Sequence, residues 1–235
     1  DKQFHDNLKE LISNKKDNQE IFDDITSRHV NAYYSTIVKG LTAKVFRTYL
    51  ASSVVSKYLR NHDNIKSESN MKKLFHAKLA NLNAAKMCNH KRTIPKNFDQ
   101  TLQKKKDTLH NVEKTKPWKK SEESLKKTQD KITKTEKQKK MQRKQIKKIK
   151  TVIKKKKANH VDRIEKLQLQ IDLTQKTRDY NLGTSLRNYI DPRIFKTWAD
   201  EIGAEWEKLY TSALQKKFLW VKNIDSKWNE VSKHY

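Results

Sequence analysis

The sequence predicts an all-α protein, and three observations carry that expectation. Glycine and proline occur only three times each in 235 residues, so little interrupts a helix. Apolar residues recur at spacings of three and four through much of the chain. A lysine-rich central stretch contains no glycine and keeps the same apolar rhythm. Together these predict a helical subdomain over 1–97, a long basic antiparallel helical hairpin of coiled-coil type over 98–180, and a small helical domain over 181–235.

Each part follows from local signals. In the first, a helix is expected to start near Thr26, carry Val30, Tyr33, Tyr34, Ile37 and Val38 on one side, and end at Gly40 as a C-terminal cap. The next, through "LTAKVFRTYLASSVVSKYL", aligns Val45, Phe46, Tyr49, Leu50, Val54 and Leu59 in a stripe ample for a core. A third helix-like run, "NLNAAKMC", precedes "NHKR". In the second part, residues 101–160 hold 23 lysines and arginines against six acidic residues, a net +17. Pro117, beside Trp118, is expected to break the hairpin's first arm. Ile146, Ile149, Ile153, Val161, Ile164, Leu167 and Ile171 then form a narrow seam for two helices. A disordered basic block is the competing reading, since runs of like charge repel. In the third part, Asp191 is a good N-cap and Pro192 a good first helical residue. Ile194, Phe195, Trp198 and Ile202 share one face ahead of Gly203, and a further helix gathers Leu214, Phe218 and Val221.

Charge narrows the partners. The chain carries +27 at neutral pH, and only 34% of it is hydrophobic, so a polyanion is the expected partner. The basic segments lack the aromatic and leucine face of an interfacial helix, and no apolar run of about 20 residues exists to span a bilayer. One cysteine, Cys88, rules out an internal disulfide and a cysteine-based zinc cluster. Gly40, Gly183 and Gly203 lie too far apart for a phosphate loop, and the histidines are scattered. No cofactor or metal site is visible.

What remains for chemistry is tyrosine with cationic helpers. A phenol with a pKa near 10 needs cations to stabilise its phenolate and the charge that develops on a phosphate target. Tyr189 in "SLRNYIDPR", Arg47 in "KVFRTY" and His90 in "MCNHKR" are the candidates. Each also has a plainer reading: a capping-region aromatic packed on Trp198, the wet face of a helix, and a surface histidine.

Taken together and in order, "GLTAKVFRTY", "CNHKR" and "LGTSLRNYIDPR" resemble the catalytic segments of eukaryotic type IB DNA topoisomerases. A basic hairpin stands between the second and third segments, and a helical tail, "KLYTSALQKKFLW", follows. The resemblance covers essentially the whole chain and implies three parts: the end of the catalytic core, a linker, and a C-terminal domain bearing the nucleophile. It implies that Tyr189 attacks a phosphodiester of double-stranded DNA and becomes joined to the 3′ phosphate, with Arg47 and His90 on the non-bridging oxygens. Lys44, Asn89, Lys91, Arg92, Thr184, Ser185, Asn188 and Arg193 become the DNA-contacting residues. No ATP or metal is implied, because the phosphotyrosine conserves the bond energy. A nuclear protein, with a mitochondrial copy as a variant, is the expected setting.

Two residues depart from the family's pattern. Leu186 stands where lysine normally follows the serine, and Leu50 where asparagine normally follows "FRTY". The family's further catalytic arginine and its general-acid lysine have no counterpart in residues 1–40. The resemblance therefore makes the N-terminal half of the same enzyme a partner, in an otherwise monomeric protein, and the isolated fragment slow or inactive. Competing functions are an inactive homologue in a nucleoprotein assembly and a purely electrostatic nucleic-acid binder.

Overall fold

The computed structural model describes all 235 residues, and its regular structure is helical with one isolated antiparallel bridge, Lys91 to Tyr180. In the first part lie α1 (Lys2–Ile12), α2 (Ser27–Ile37), α3 (Ala43–Arg60) and α4 (Asn70–Met87). The hairpin comprises α5 (Phe98–Lys114), α6 (Lys119–Gln129) and α7 (Glu136–Lys176). The last part holds α8 (Leu182–Asn188), α9 (Pro192–Ile202), α10 (Ser212–Lys217) and α11 (Trp228–Lys233), with short 3₁₀ turns at Trp206–Leu209 and Leu219–Asn223.

The core forms where α3, α4 and α9 meet. Ala51, Val55 and Leu59 of α3 face Ala77, Ala80 and Ala84 of α4, and Ile194, Phe195, Trp198 and Ile202 of α9 close over them. Small side chains let α3 and α4 approach closely, and the bulk comes from α9. The expected stripe on α3 is therefore corrected. Val45, Phe46, Tyr49 and Leu50 are about half exposed, and the buried face is Ala51, Ser52, Val55, Ser56 and Leu59. No residue of α1 or α2 is buried either. The large apolar side chains of this region are thus only partly covered within the chain, Phe46 by Tyr34 at 5.1 Å.

Capping follows the sequence at α9. Asp191 accepts from the Arg193 amide, Pro192 opens the helix, and Gly203 ends it in the left-handed conformation at φ 66°. The ammonium of Lys73, buried from α4, donates to the carbonyl oxygens of Ile202 (2.6 Å) and Gly203 (3.4 Å), where the helix dipole is negative. The end of α2 is corrected by two residues. Val38 is the cap, its amide bonded to Tyr34, and Gly40 occupies a left-handed turn beyond it at φ 80°.

In the hairpin, α7 runs 41 residues, about 60 Å at helical rise, and packs against both α5 and α6. The break around Pro117 is present, with α5 ending at Lys114 and α6 beginning at Lys119. Thr135 and Gln138 form a reciprocal capping box at the start of α7. Val112 and Ile153 are buried in the seam, and Lys157 pairs with Glu122 at 2.7 Å. Val161, expected in the seam, is 64% exposed. His160 takes its place, buried edge-on against Trp118 at 5.2 Å, because the bulky indole at the hairpin's break selects the flat ring one position earlier.

Beside the foot of α7 lies an aromatic group built from α3 and α4. His62 stacks on Tyr58 at 4.2 Å, and the Tyr58 hydroxyl meets His76 Nδ1 at 3.0 Å. Burial, with His62 secondarily, lowers the pKa of His76. A histidine whose folded pKa lies below its unfolded value contributes stability that is complete above about pH 6.5 and is lost as pH falls through the folded value. The melting temperature is accordingly expected to drop between pH 7.5 and 5.5, and His76→Gln to flatten that dependence. A residual slope is expected from His90, whose pKa is lowered by burial and by Arg47. Thermal melts followed by circular dichroism measure this; an equally steep slope in His76→Gln would refute it.

Candidate active site

His90 owes its place to the way α4 ends. Asn89 adopts the left-handed conformation at φ 52°, which asparagine tolerates better than most residues. The amide of Asn89 then bonds to the Lys86 carbonyl at 3.0 Å and that of His90 to the Ala85 carbonyl at 2.8 Å. This pair of bonds is the Schellman termination, with asparagine in glycine's usual position. It turns the chain sharply and directs His90 away from the helix.

The same turn is tied to the strand of chain leaving α7. The Asn181 amide donates to the His90 carbonyl at 2.8 Å, and the Arg92 amide to the Asp179 carbonyl at 3.0 Å. Asn181 then caps α8, accepting from the Gly183 and Thr184 amides at 3.0 and 3.4 Å. Asn81, buried on α4, donates to the Leu182 carbonyl at 3.1 Å. By this stitching α8 lies across α4, and Tyr189 emerges as its C-cap.

Three distant segments converge as a result. The His90 ring lies 5.1 Å from the Tyr189 ring, and the Arg47 guanidinium carbon lies 5.3 Å from that ring's centre. Arg47 also donates to the Cys88 carbonyl, so α3 is pinned to the end of α4. Lys44, one turn earlier on α3, holds its ammonium 5.8 Å from the same ring centre. His90 Nδ1 is 2.7 Å from Ser185 Oγ. With the serine hydroxyl donating to Nδ1, the ring keeps its proton on Nε2, free to donate elsewhere. The cluster is thus a half-exposed phenol flanked by one guanidinium, one ammonium and one imidazole, a setting that favours an anion.

The other sequence-predicted residues have varied positions. Ser185 is fully buried, so its hydroxyl serves His90 rather than the surface. Arg92 spends its guanidinium on the carbonyls of Arg178 and Thr177, at 3.1 and 3.3 Å. Arg193 is paired with Asp191. Asn89, Lys91 and Asn188 are exposed and Thr184 is half-buried. The Tyr189 ring packs by one side against the core that holds Trp198, and His90, Arg47 and Lys44 stand around it. Sequence reasoning missed Ser52, Asn81 and Tyr235, all of which hold this region through long-range hydrogen bonds.

Comparison with known proteins bears on the same segments. Residues 1–123 match the model of the eukaryotic DNA topoisomerase I catalytic core. The chain belongs to the eukaryotic DNA topoisomerase I family. Residues 161–230, including Tyr189, match the C-terminal topoisomerase domain. This topoisomerase I family member is 31% identical over 234 residues to DNA topoisomerase 1 of Caenorhabditis elegans, which covers 98% of the chain and 26% of that protein. It is 32% identical over 220 residues to DNA topoisomerase 1 of Homo sapiens, covering 94% of the chain and 28% of that protein. With the mitochondrial DNA topoisomerase I of Rattus norvegicus the figures are 31% over 222 residues, 92% and 35%. The chain therefore spans between a quarter and about a third of the length of these relatives. Residues 124–160, the most lysine-rich part, lie between the two matched segments.

Proposed function

We propose that this chain is the nucleophile-bearing part of a type IB DNA topoisomerase, which relaxes supercoils through transient cleavage of one strand. The observation that supports it best is the convergence of Tyr189, Arg47 and His90, from segments 43 to 142 residues apart in sequence, on one half-exposed phenol. The Tyr189 oxygen attacks phosphorus in a backbone phosphodiester, the bond to the 5′ oxygen breaks, and a 3′-phosphotyrosine forms. Arg47 gives paired N–H donors and His90 an Nε2–H to the non-bridging oxygens, where charge accumulates in the transition state. Lys44 adds a positive charge beside the same ring. The broken strand swivels, and the freed 5′ hydroxyl attacks the phosphotyrosine to reseal it without external energy.

Protonation of the departing 5′ oxygen calls for a general acid outside this site. The exposed apolar side chains on α2 and the start of α3, which flank Arg47, favour a partner that covers them: the upstream half of the same enzyme, bearing the remaining arginine and the acid. General acid catalysis contributes about 100-fold or more, so the chain by itself is expected to bind DNA and relax it very slowly or not at all. One relative is designated mitochondrial, and we place the enzyme in the nucleus or the mitochondrion.

A suicide substrate, in which the cut releases a short strand and traps the product, tests the reading. The chain supplied with its upstream half is expected to form a 3′-linked adduct, and Tyr189→Phe to form none. Absence of an adduct from the unmodified assembly would sink the proposal in favour of an inactive, nucleic-acid-binding homologue.

A further inference from the structure

Asp191 stands two residues after Tyr189, and its side chain is only 10% exposed. Its carboxylate is held from two sources. Arg193 donates its amide at 2.9 Å and its guanidinium Nε at 2.8 Å, and Tyr235 donates its hydroxyl at 2.7 Å. Burial alone would raise the pKa of Asp191; the hydrogen bonds from Arg193 and Tyr235 outweigh it and hold the carboxyl below its ordinary range. The Tyr235 phenol, half-buried beside that carboxylate, is pushed up to about 12 and so keeps its proton to donate.

The two donors differ in what they anchor. Arg193 lies on the same turn as Asp191 and moves with it. Tyr235 follows α11 and reaches across from another element. α11 itself is fixed to α3, where Ser56 Oγ and Arg60 Nη1 donate to the Ser232 carbonyl at 3.3 and 3.0 Å. The Tyr235 ring also lies 5.9 Å from that of Tyr49, two residues beyond Arg47. On the opposite side, the Asp191 amide donates to Ser52 Oγ of α3 at 3.0 Å, and that hydroxyl lies 3.5 Å from the Tyr189 carbonyl. The turn bearing Tyr189 is therefore gripped by α3 through Ser52 and by the segment after α11 through Tyr235.

We infer that Tyr235 is a positioning residue for the Tyr189 phenol: its hydrogen bond to Asp191 fixes the 189–191 turn against the helix that carries Arg47. This rests on Tyr189 being the nucleophile. Tyr235→Phe keeps the ring and removes only the hydroxyl. It is expected to slow single-turnover cleavage of the suicide substrate by about 10-fold, as for loss of a hydrogen bond to a charged group. Noncovalent DNA affinity, measured in a Tyr189→Phe background, is expected to stay within about twofold, since the substitution removes no cationic group. In this chain without DNA, amide hydrogen exchange over residues 186–193 is expected to speed up in Tyr235→Phe while the α5–α7 hairpin is unchanged. In an Asp191→Asn background, Tyr235→Phe should add almost nothing, because coupled residues are not additive. Exchange over 186–193 at the unsubstituted rate, or additive effects with Asp191→Asn, would overturn the inference. If the unsubstituted assembly forms no adduct, the topoisomerase reading fails, and the exchange comparison still decides whether Tyr235 holds the turn.

Discussion

Arg47→Ala is expected to slow formation of the covalent adduct by roughly 100- to 1000-fold, the usual loss when one donor to a developing oxyanion is removed. The size follows from where Arg47 sits. Its guanidinium is the fork-shaped donor beside the Tyr189 ring, and its bond to the Cys88 carbonyl holds that fork in place before substrate arrives. Arg47→Lys keeps the charge but loses the paired donors, so most of the defect should persist. Arg47 is exposed, and its removal leaves no buried cavity. The melting temperature should therefore change little, and the loss should appear in the cleavage step. Single-turnover cleavage by the chain with its upstream half measures it. A rate for Arg47→Ala within about threefold of the unsubstituted protein would be far below the loss of an oxyanion donor and would remove Arg47 from the proposed chemistry.

Trp198→Ala is expected to destabilise the fold by about 3–5 kcal/mol, the range for deleting a buried aromatic. Trp198, on α9, is fully buried in the core cluster to which α3 and α4 also contribute. A domain of this kind has a total stability of about 5–15 kcal/mol, so much of the margin would go. Trp198→Phe separates volume from polarity. The indole nitrogen has no hydrogen-bond partner, so replacing it by phenylalanine breaks no hydrogen bond and costs only the smaller ring. Its loss should be well under half that of alanine. Urea unfolding of the three proteins measures the difference; equal losses for Ala and Phe would mean that the indole, rather than bulk, matters here.

The parts of this architecture readable from sequence are those with local causes. Asp191 and Pro192 announce a helix start by their own capping chemistry, Gly203 supplies the left-handed stop, and the isoleucine spacing among the lysines defines the hairpin seam. Pro117 marks the break between α5 and α6 because no helix interior accepts it without loss. The face that α3 buries was not legible. Its aromatic stripe is the stronger periodic signal, yet the fold within this chain selects alanine, serine and valine, because close contact with α4 needs small side chains. His160 displaces Val161 from the seam because of Trp118, some 40 residues away in sequence. At the site, Tyr189, Arg47 and His90 are candidates on their chemistry alone, and only the resemblance groups them into one site. The supports beneath them gave no signal at all: Ser185 Oγ on His90, Asn81 on the Leu182 carbonyl and Tyr235 on Asp191 are contacts between segments 44 to 101 residues apart.

The foot of the basic hairpin is clamped by backbone bonds between His90 and Asn181 and between Arg92 and Asp179. Those residues directly adjoin the imidazole on one side and the helix ending in Tyr189 on the other. The hairpin is in mechanical terms an oar with its rowlock at the Tyr189 cluster: a sideways push on its blade, about 60 Å out by helical rise, acts on a fulcrum only a few ångströms long. Any pull by a bound polyanion on those lysines would be felt, geared up, by the imidazole and the phenol.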